Sequence, residues 1–125
     1  MSQAAPLISI VDDDESLKLA LVGLVRSFGY EGRGHASAED FLASGDAGRC
    51  ACLVTDLHMP GIGGIELLQR LRAEGNRVPA VLITARMLPG LEQRAREAGA
   101  RCLLPKPFDP QTLMRCIEQV LPPLG

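Results

Sequence analysis

Acidic residues are concentrated at two places where short apolar runs end. Asp12 to Glu15 are four consecutive acids that follow residues 7–11, and Asp56 follows residues 51–54. Packed carboxylates raise one another's pKa unless a cation is present, whereas acids that open a helix gain about 0.3–1 kcal/mol from its dipole. For the run alone, helix capping and metal binding are equally good interpretations. Asp56 adds another carboxylate and favours a hard cation bound by oxygen atoms, for which Mg²⁺ is the usual case.

Two further side chains could work with these acids. Lys106 stands between two prolines after the apolar run 102–104, and Thr84 follows the run 80–83. Taken singly, the lysine could merely neutralise the acids and the threonine could be an ordinary β-branched strand end. Beside a phosphoryl group, lysine supplies a compact charge and threonine a hydrogen-bond donor.

A carboxylate nucleophile, a divalent ion, a lysine and a hydroxyl together indicate phosphoryl transfer. That chemistry depends on positioning and on neutralising charge, and aspartate is a known phosphoryl acceptor. Neither His35 nor His58 has a partner pattern typical of a histidine nucleophile.

The elements that must position these residues alternate along the chain. Four runs that are apolar on both faces predict strands buried between two helix layers: residues 7–11, 51–54, 80–83 and 102–104. Residues 30–36, interrupted by Gly32 and Gly34, predict an exposed edge strand. Five strand–helix units with short connections predict a mostly parallel sheet with helices on both faces. Ligands of such sheets bind at the carboxyl ends of the strands, where the candidate residues stand.

Helix boundaries are marked by capping residues and glycines. The first helix is predicted to end at Gly29 and the fourth at Gly99, since glycine is favoured just past a helix. Ser37 and Asp109 are predicted to cap the second and the last helix, and Pro110 suits the first position of the latter.

Size and composition predict one domain that occupies residues 1–125. The 46% hydrophobic and 22% charged content argues against disorder. Residues 122–125 are interpreted as a C-terminal tail or the start of a linker. The net charge of -2 gives no reason to expect nucleic acid or an anionic membrane as a direct partner.

The lack of targeting signals and the use of cysteine predict a cytoplasmic protein. No apolar run approaches the ~20 residues of a membrane span, and residues 1–6 lack the layout of a signal peptide. The cysteines lack the pair spacing of a zinc site and are interpreted as small apolar residues in a reducing compartment. They are Cys50, Cys52, Cys102 and Cys116.

Four segments, taken in order, resemble the receiver domains of two-component response regulators: residues 8–15, 53–61, 82–85 and 106–108. The resemblance covers essentially the whole chain, and residues 37–42 and 54–71 are most similar to FixJ-like receivers. It implies a doubly wound α/β fold of the flavodoxin or CheY type, with five parallel strands in the order 2-1-3-4-5 and five helices. It also implies a signalling phosphoacceptor that catalyses only its own phosphorylation and dephosphorylation.

The resemblance implies a metal site and its chemistry. Asp56 would accept the phosphoryl group from a phosphohistidine of a sensor histidine kinase. Asp13, Asp56 and the backbone carbonyl of His58 would bind Mg²⁺ directly, and Asp12 would help through a water molecule.

The resemblance also implies how the signal leaves the site. Lys106 would bind the phosphoryl group, with a cis bond to Pro107, and Thr84 would move toward that group. The change would reach a face formed by the fourth helix, fifth strand and fifth helix. That face is the candidate contact for a downstream output domain or protein and for a homodimer.

Leu103 departs from the pattern of the family. Receivers usually carry Tyr or Phe three residues before the lysine, where it moves together with the threonine. The phosphorylation chemistry does not depend on that aromatic residue. We therefore expect signalling to rely on movement of the loop at residues 84–89. The alternative interpretation of Leu103 itself is that it is an ordinary core residue.

Two other functions fit part of the sequence. Asp12, Asp14 and Ser16 match D-x-D-x-S, the opening motif of haloacid-dehalogenase-like phosphatases, with Asp12 as nucleophile and Asp14 as acid or base. That interpretation leaves Asp56 unexplained, and the chain is short for that fold. The other alternative is an interaction module that keeps the receiver fold without being phosphorylated, which the departure at Leu103 keeps open.

Overall fold

The architecture is one parallel sheet with helices on both faces. The computed structural model describes residues 5–121, so the predicted tail at 122–125 lies outside the described residues. The strands are β1 (Leu7–Val11), β2 (Glu31–His35), β3 (Cys52–Asp56), β4 (Ala80–Thr84) and β5 (Cys102–Pro105). The helices are α1 (Glu15–Ser27), α2 (Ala38–Ser44), α3 (Gly64–Ala73), α4 (Leu91–Glu97) and α5 (Pro110–Val120), with a 3₁₀ turn at Asp46–Gly48.

The strand order is β2-β1-β3-β4-β5, and every pair is parallel, which confirms the predicted topology. Strands β1 and β3, between which the strand order reverses, therefore lie side by side within the sheet. Their carboxyl ends carry the acidic residues singled out in the sequence. None of the helices in the described segment could traverse a lipid bilayer.

The core consists of two apolar layers, one on each face of the sheet. Leu53 and Leu82 point toward the layer that contains α3, whereas Val54 and Val81 point toward the layer that contains α1 and α5. Because helices cover both faces of the sheet, β1, β3 and β4 are buried along their whole length. All four cysteines are free, and only Cys52 is fully buried.

The predicted helix caps are present. The side chains of Asp14, Ser37 and Asp109 each accept a hydrogen bond from a backbone N–H in the first turn of their helices. Gly29 and Gly99 follow α1 and α4 with φ of 94° and 101°, a left-handed conformation that favours glycine. Capping was therefore the correct interpretation of Asp14.

The glycines of β2 are explained by packing. A Cβ atom on Gly32 would lie 2.7 Å from a methyl carbon of Val25, and one on Gly34 would lie 2.9 Å from the side chain of Lys18. Helix α1 thus packs directly on the backbone of this edge strand. Gly32 is buried, so close approach rather than exposure accounts for it.

Candidate functional site

Three carboxylates meet at the carboxyl ends of β1 and β3. Residue Val11 of β1 is in register with Thr55 of β3, so Asp12 and Asp13 follow one strand where Asp56 ends the next. Oxygen atoms of the three carboxylates all lie within 4.8 Å of one another. Asp12 and Asp56 are buried and Asp13 is exposed. An oxygen-only donor set that is open on one side suits a hard cation that keeps part of its water shell.

Lys106 is placed against this cluster from β5. Its backbone N–H donates to the carbonyl of Thr84 at 2.7 Å, which fixes the start of the segment after β5. Its Nζ lies 3.1 Å from Oδ2 of Asp56 and 3.3 Å from Oδ2 of Asp12. The bond to Pro107 is cis, as the resemblance implied. The lysine therefore bridges two of the three carboxylates.

Burial makes the charged form of Asp12 costly. Burial raises the pKa of Asp12, and the charge of Asp56 adds to this, against the opposing effects of a hydrogen bond from Asp14 and of Lys106. Burial would lower the pKa of Lys106, but its hydrogen bond to Asp56 and the charges of both aspartates raise it overall. The lysine is therefore charged at neutral pH, and a cation near Asp12 would relieve an unfavourable charge.

Helix α3 begins directly against the backbone of Asp56. The N–H of Gly64 donates to the carbonyl of Leu57 at 3.0 Å, and the N–H of His58 donates to Oδ1 of Asp56 at 3.3 Å. A Cβ atom on Gly64 would lie 2.6 Å from the carbonyl oxygen of Asp56. Glycine at this position allows the helix to approach the end of β3.

The hydroxyl of Thr84 is engaged with its own loop. It donates to the carbonyl of Arg86 at 2.9 Å and accepts the N–H of the same residue at 3.1 Å. Thr84 is fully buried at the end of β4. The threonine thus stands at the predicted strand end, with its hydroxyl bonded to the loop rather than to the carboxylates.

The comparisons with known proteins decide the family. The family model of the response regulator receiver domain matches residues 8–118. The chain is a response regulator receiver domain. This receiver domain is 34% identical over 121 residues to the transcriptional regulatory protein FixJ of Azorhizobium caulinodans, which covers 97% of this chain and 57% of that protein. It is 33% identical to the response regulator protein TodT of Pseudomonas putida, with 97% and 53% covered.

Solved structures of other receivers have the same fold. The response regulator StyR gives a TM-score of 0.87 at 42% identity over 94% of this chain and 60% of that chain. The FixJ-N structure gives a TM-score of 0.83 at 33% identity over 99% of this chain and 100% of that chain. Chemotaxis protein CheY4 of Vibrio cholerae gives 0.86 at 28% identity over 94% and 100%. The receiver domain spans a little over half the length of FixJ and TodT.

Family membership settles the broad function that the sequence predicted. The receiver domain belongs to two-component signalling, in which such domains act as phosphoacceptors. The match across nearly the whole chain decides against the phosphatase alternative.

Leu103 packs as an apolar residue. It is half-buried and in register with Leu82 of β4. It contacts the core layer that contains α3, to which α4 also contributes. The structure therefore supports the interpretation that Leu103 is part of the core.

Two carboxylates have contacts that were not predicted from the sequence. Glu39 of α2 contacts the loop between β3 and α3. Asp46 is 2% exposed and lies 3.2 Å from Nε2 of His35, a partner that the sequence did not reveal. The carbonyl of His35 accepts the N–H of Asp12 at 3.1 Å, which links the end of β2 to the start of the acidic run. No short-range spacing links these residues, which is why a sequence pattern could not find them.

Proposed function

We propose that Asp56 accepts a phosphoryl group from the phosphohistidine of a sensor histidine kinase, in a reaction that requires Mg²⁺. One observation carries the proposal: the Nζ of Lys106 lies 3.1 Å from Asp56 at the edge of a group of three carboxylates that could hold a cation. Phosphoryl transfer needs positive charge on both sides of the transferring group, and this arrangement offers it.

The step conserves atoms and charge in a simple way. A carboxylate oxygen of Asp56 forms the new bond to phosphorus, the bond from phosphorus to the histidine nitrogen breaks, and its electron pair stays on the imidazole. Lys106 would then leave its pairing with the free carboxylate and bind a phosphoryl oxygen.

The donor set of the cluster fits Mg²⁺. Asp13, Asp56 and the carbonyl of His58 would hold the ion directly, with Asp12 acting through a water molecule. When bound, the ion neutralises charge on the phosphoryl oxygens. The three carboxylates belong to one group within 4.8 Å, and burial raises the pKa of Asp12, so a cation has a physical reason to bind there.

Phosphorylation would change the output surface through the loop after β4. It adds about −1.5 to −2 charges and three acceptor oxygens. Thr84 would exchange its bonds with Arg86 for one to the phosphoryl group, and the α4-β5-α5 face would change shape. A downstream output domain or protein, or a second copy of the chain, would read that face. In this proposal the chain catalyses only its own phosphorylation and dephosphorylation, in the cytoplasm, as a single receiver domain over residues 1–125.

The test is to map the modified residue after reaction with acetyl phosphate. The protein is incubated with acetyl phosphate and Mg²⁺, trapped with borohydride, and digested for mass spectrometry, with a chelator-treated control. We expect one modified residue, Asp56, and none in the control. Modification of Asp12 instead would contradict the assignment of the phosphoacceptor. A protein that gains no modification and binds no Mg²⁺ at millimolar concentration would be the non-phosphorylated interaction module.

A further inference from the structure

Glu39 contacts the segment that carries the proposed carbonyl ligand. Its Oε2 accepts the backbone N–H of Ile62 at 3.3 Å across 23 positions of sequence. Gly61 has a φ of 80°, and a Cβ atom there would overlap the carboxylate of Glu39. The glycine thus leaves room for the carboxylate to lie against the backbone of the loop.

That loop, residues 57–63, joins Asp56 to α3. Its buried side chains Met59 and Ile62 pack in the same core layer as Phe41 of α2. Within residues 5–121, Glu39 is the one side chain from outside β3, the loop and α3 that hydrogen-bonds to the loop. The loop is therefore held on α2 by apolar contacts and by a single charge-assisted hydrogen bond.

We infer that Glu39 is a positioning residue for the Mg²⁺ site. By fixing the backbone at Ile62, it holds the loop in which the carbonyl of His58 lies. The inference rests on the proposed function, in which that carbonyl binds the ion. A ligand that is already fixed binds the ion without first being ordered, so the hydrogen bond contributes to affinity although Glu39 is not in the metal-binding group.

The experiment compares three variants by Mg²⁺ titration. Glu39→Ala removes the acceptor, whereas Glu39→Gln keeps an acceptor oxygen without the charge. Asp40→Ala is the matched control, because it removes a neighbouring exposed carboxylate in the same first turn of α2. The amide resonance of His58 reports metal binding, that of Ile62 reports the hydrogen bond, and thermal unfolding is recorded for each variant.

We expect the dissociation constant for Mg²⁺ to rise roughly three- to tenfold in Glu39→Ala, which corresponds to the loss of one part-buried hydrogen bond to a charged group. In Glu39→Gln and Asp40→Ala it should stay within about twofold of the wild-type value. The Ile62 amide proton should move upfield in Glu39→Ala alone. The comparison of Mg²⁺ affinity between Glu39→Ala and Asp40→Ala remains valid even if both variants melt at a lower temperature. If Glu39 only stabilised the fold, the two variants would bind Mg²⁺ equally well.

Three outcomes overturn the inference. Equal affinity in wild type and Glu39→Ala shows that the hydrogen bond does not position the ligand. An equal loss in Asp40→Ala shows that surface charge, and not the hydrogen bond, sets the affinity for Mg²⁺. A wild-type protein that neither binds Mg²⁺ nor is modified at Asp56 refutes the proposed function as well, which separates the two failures.

Discussion

The hydroxyl of Thr84 donates to the carbonyl of Arg86 at 2.9 Å while it accepts the N–H of that residue at 3.1 Å. The bond that the hydroxyl donates to Arg86 must break before it can donate to a phosphoryl group on Asp56. The freed carbonyl of Arg86, an exposed residue, then takes water as its partner. The loop after β4 is therefore tied to the state of Thr84 without any aromatic side chain at position 103.

Beryllofluoride, which mimics the phosphoryl group, should move this loop. We expect the amide resonances of residues 85–89 to shift when beryllofluoride and Mg²⁺ are added to the wild-type protein. Thr84→Ser should keep the shift and Thr84→Ala should lose it, with a loss of about 1–2 kcal/mol in unfolding free energy for the two missing hydrogen bonds. The amide of His58 serves as the control for occupancy. An unchanged loop in a protein whose His58 signal shows full occupancy would refute this switch.

Lys106 should matter more for the chemistry than for metal binding. Replacing it with alanine removes the charge that would face the phosphoryl group, so the rate of phosphorylation by acetyl phosphate should fall about 10²-fold. Mg²⁺ should bind more tightly, since the ammonium no longer competes for Asp12 and Asp56. In the absence of metal the unfolding free energy should drop by about 1–3 kcal/mol, because two buried carboxylates lose their partner.

Two variants make that measurement specific. Lys106→Arg should not restore the rate, because the planar guanidinium differs in shape from the compact ammonium. Lys18→Ala removes the other lysine, which pairs with Glu15 at 2.5 Å, and should leave the rate unchanged. A Lys106→Ala protein that reacts at the wild-type rate would remove the lysine from the mechanism.

Asp12 should destabilise the metal-free fold at neutral pH. Burial raises its pKa above the ordinary value of 3.8, so the folded protein binds this proton more tightly than the unfolded chain does. The wild-type free energy of unfolding therefore falls as the pH rises from 3.8 through the folded pKa, and the penalty persists above it. Asp12→Asn has no such penalty. We expect it to be more stable by on the order of 1 kcal/mol at pH 7 in chelator.

The pH and metal dependence distinguish this effect from simple repacking. The advantage of Asp12→Asn should shrink as the pH is lowered through the raised pKa of Asp12, because the folded wild-type protein then takes up the proton and loses its penalty. Added Mg²⁺ should stabilise the wild-type protein more than the variant, because ligand binding to the folded state adds to its stability. Urea unfolding followed by circular dichroism measures the stability of both proteins at pH 7, at lower pH and with added Mg²⁺. A variant that is less stable than wild type at pH 7 without metal would mean that the attraction to Lys106 outweighs the cost of burial.

Sequence patterns were sufficient for the sheet and for the acidic cluster. Residues 80–83 are buried on both faces of the sheet, and this burial follows from their uninterrupted run of apolar side chains. The meeting of Asp12 with Asp56 follows from a rule of parallel sheets, since neighbouring strands end at the same edge. The location of Thr84 and Lys106 follows from the same rule.

What escaped prediction depends on loops and on contacts between distant elements. The sequence places Thr84 at a strand end but cannot show that its hydroxyl bonds to Arg86, because that depends on the path of the loop. The contacts of Glu39 with Ile62 and of Asp46 with His35 join residues that are far apart in sequence, with no fixed spacing that a pattern could reveal. From the sequence, Gly34 only weakens a strand. The structure shows that glycine is needed there because the side chain of Lys18 packs against its backbone.

The contact between α3 and the end of β3 should make Gly64 intolerant of a side chain. An alanine Cβ at this position would lie 2.6 Å from the carbonyl oxygen of Asp56 and 3.2 Å from Cα of Leu57, so the helix or the strand end must move. We expect Gly64→Ala to lower the free energy of unfolding by about 1–3 kcal/mol and to weaken Mg²⁺ binding, because the shift displaces the site itself. Gly23→Ala is the matched control, since Gly23 is exposed in α1 and a Cβ there meets nothing within 4 Å. That variant should be more stable by about 0.5–1 kcal/mol with unchanged Mg²⁺ affinity. A Gly64→Ala variant that is as stable in urea as the wild-type protein would contradict the argument, because space at position 64 would then be sufficient for a methyl group.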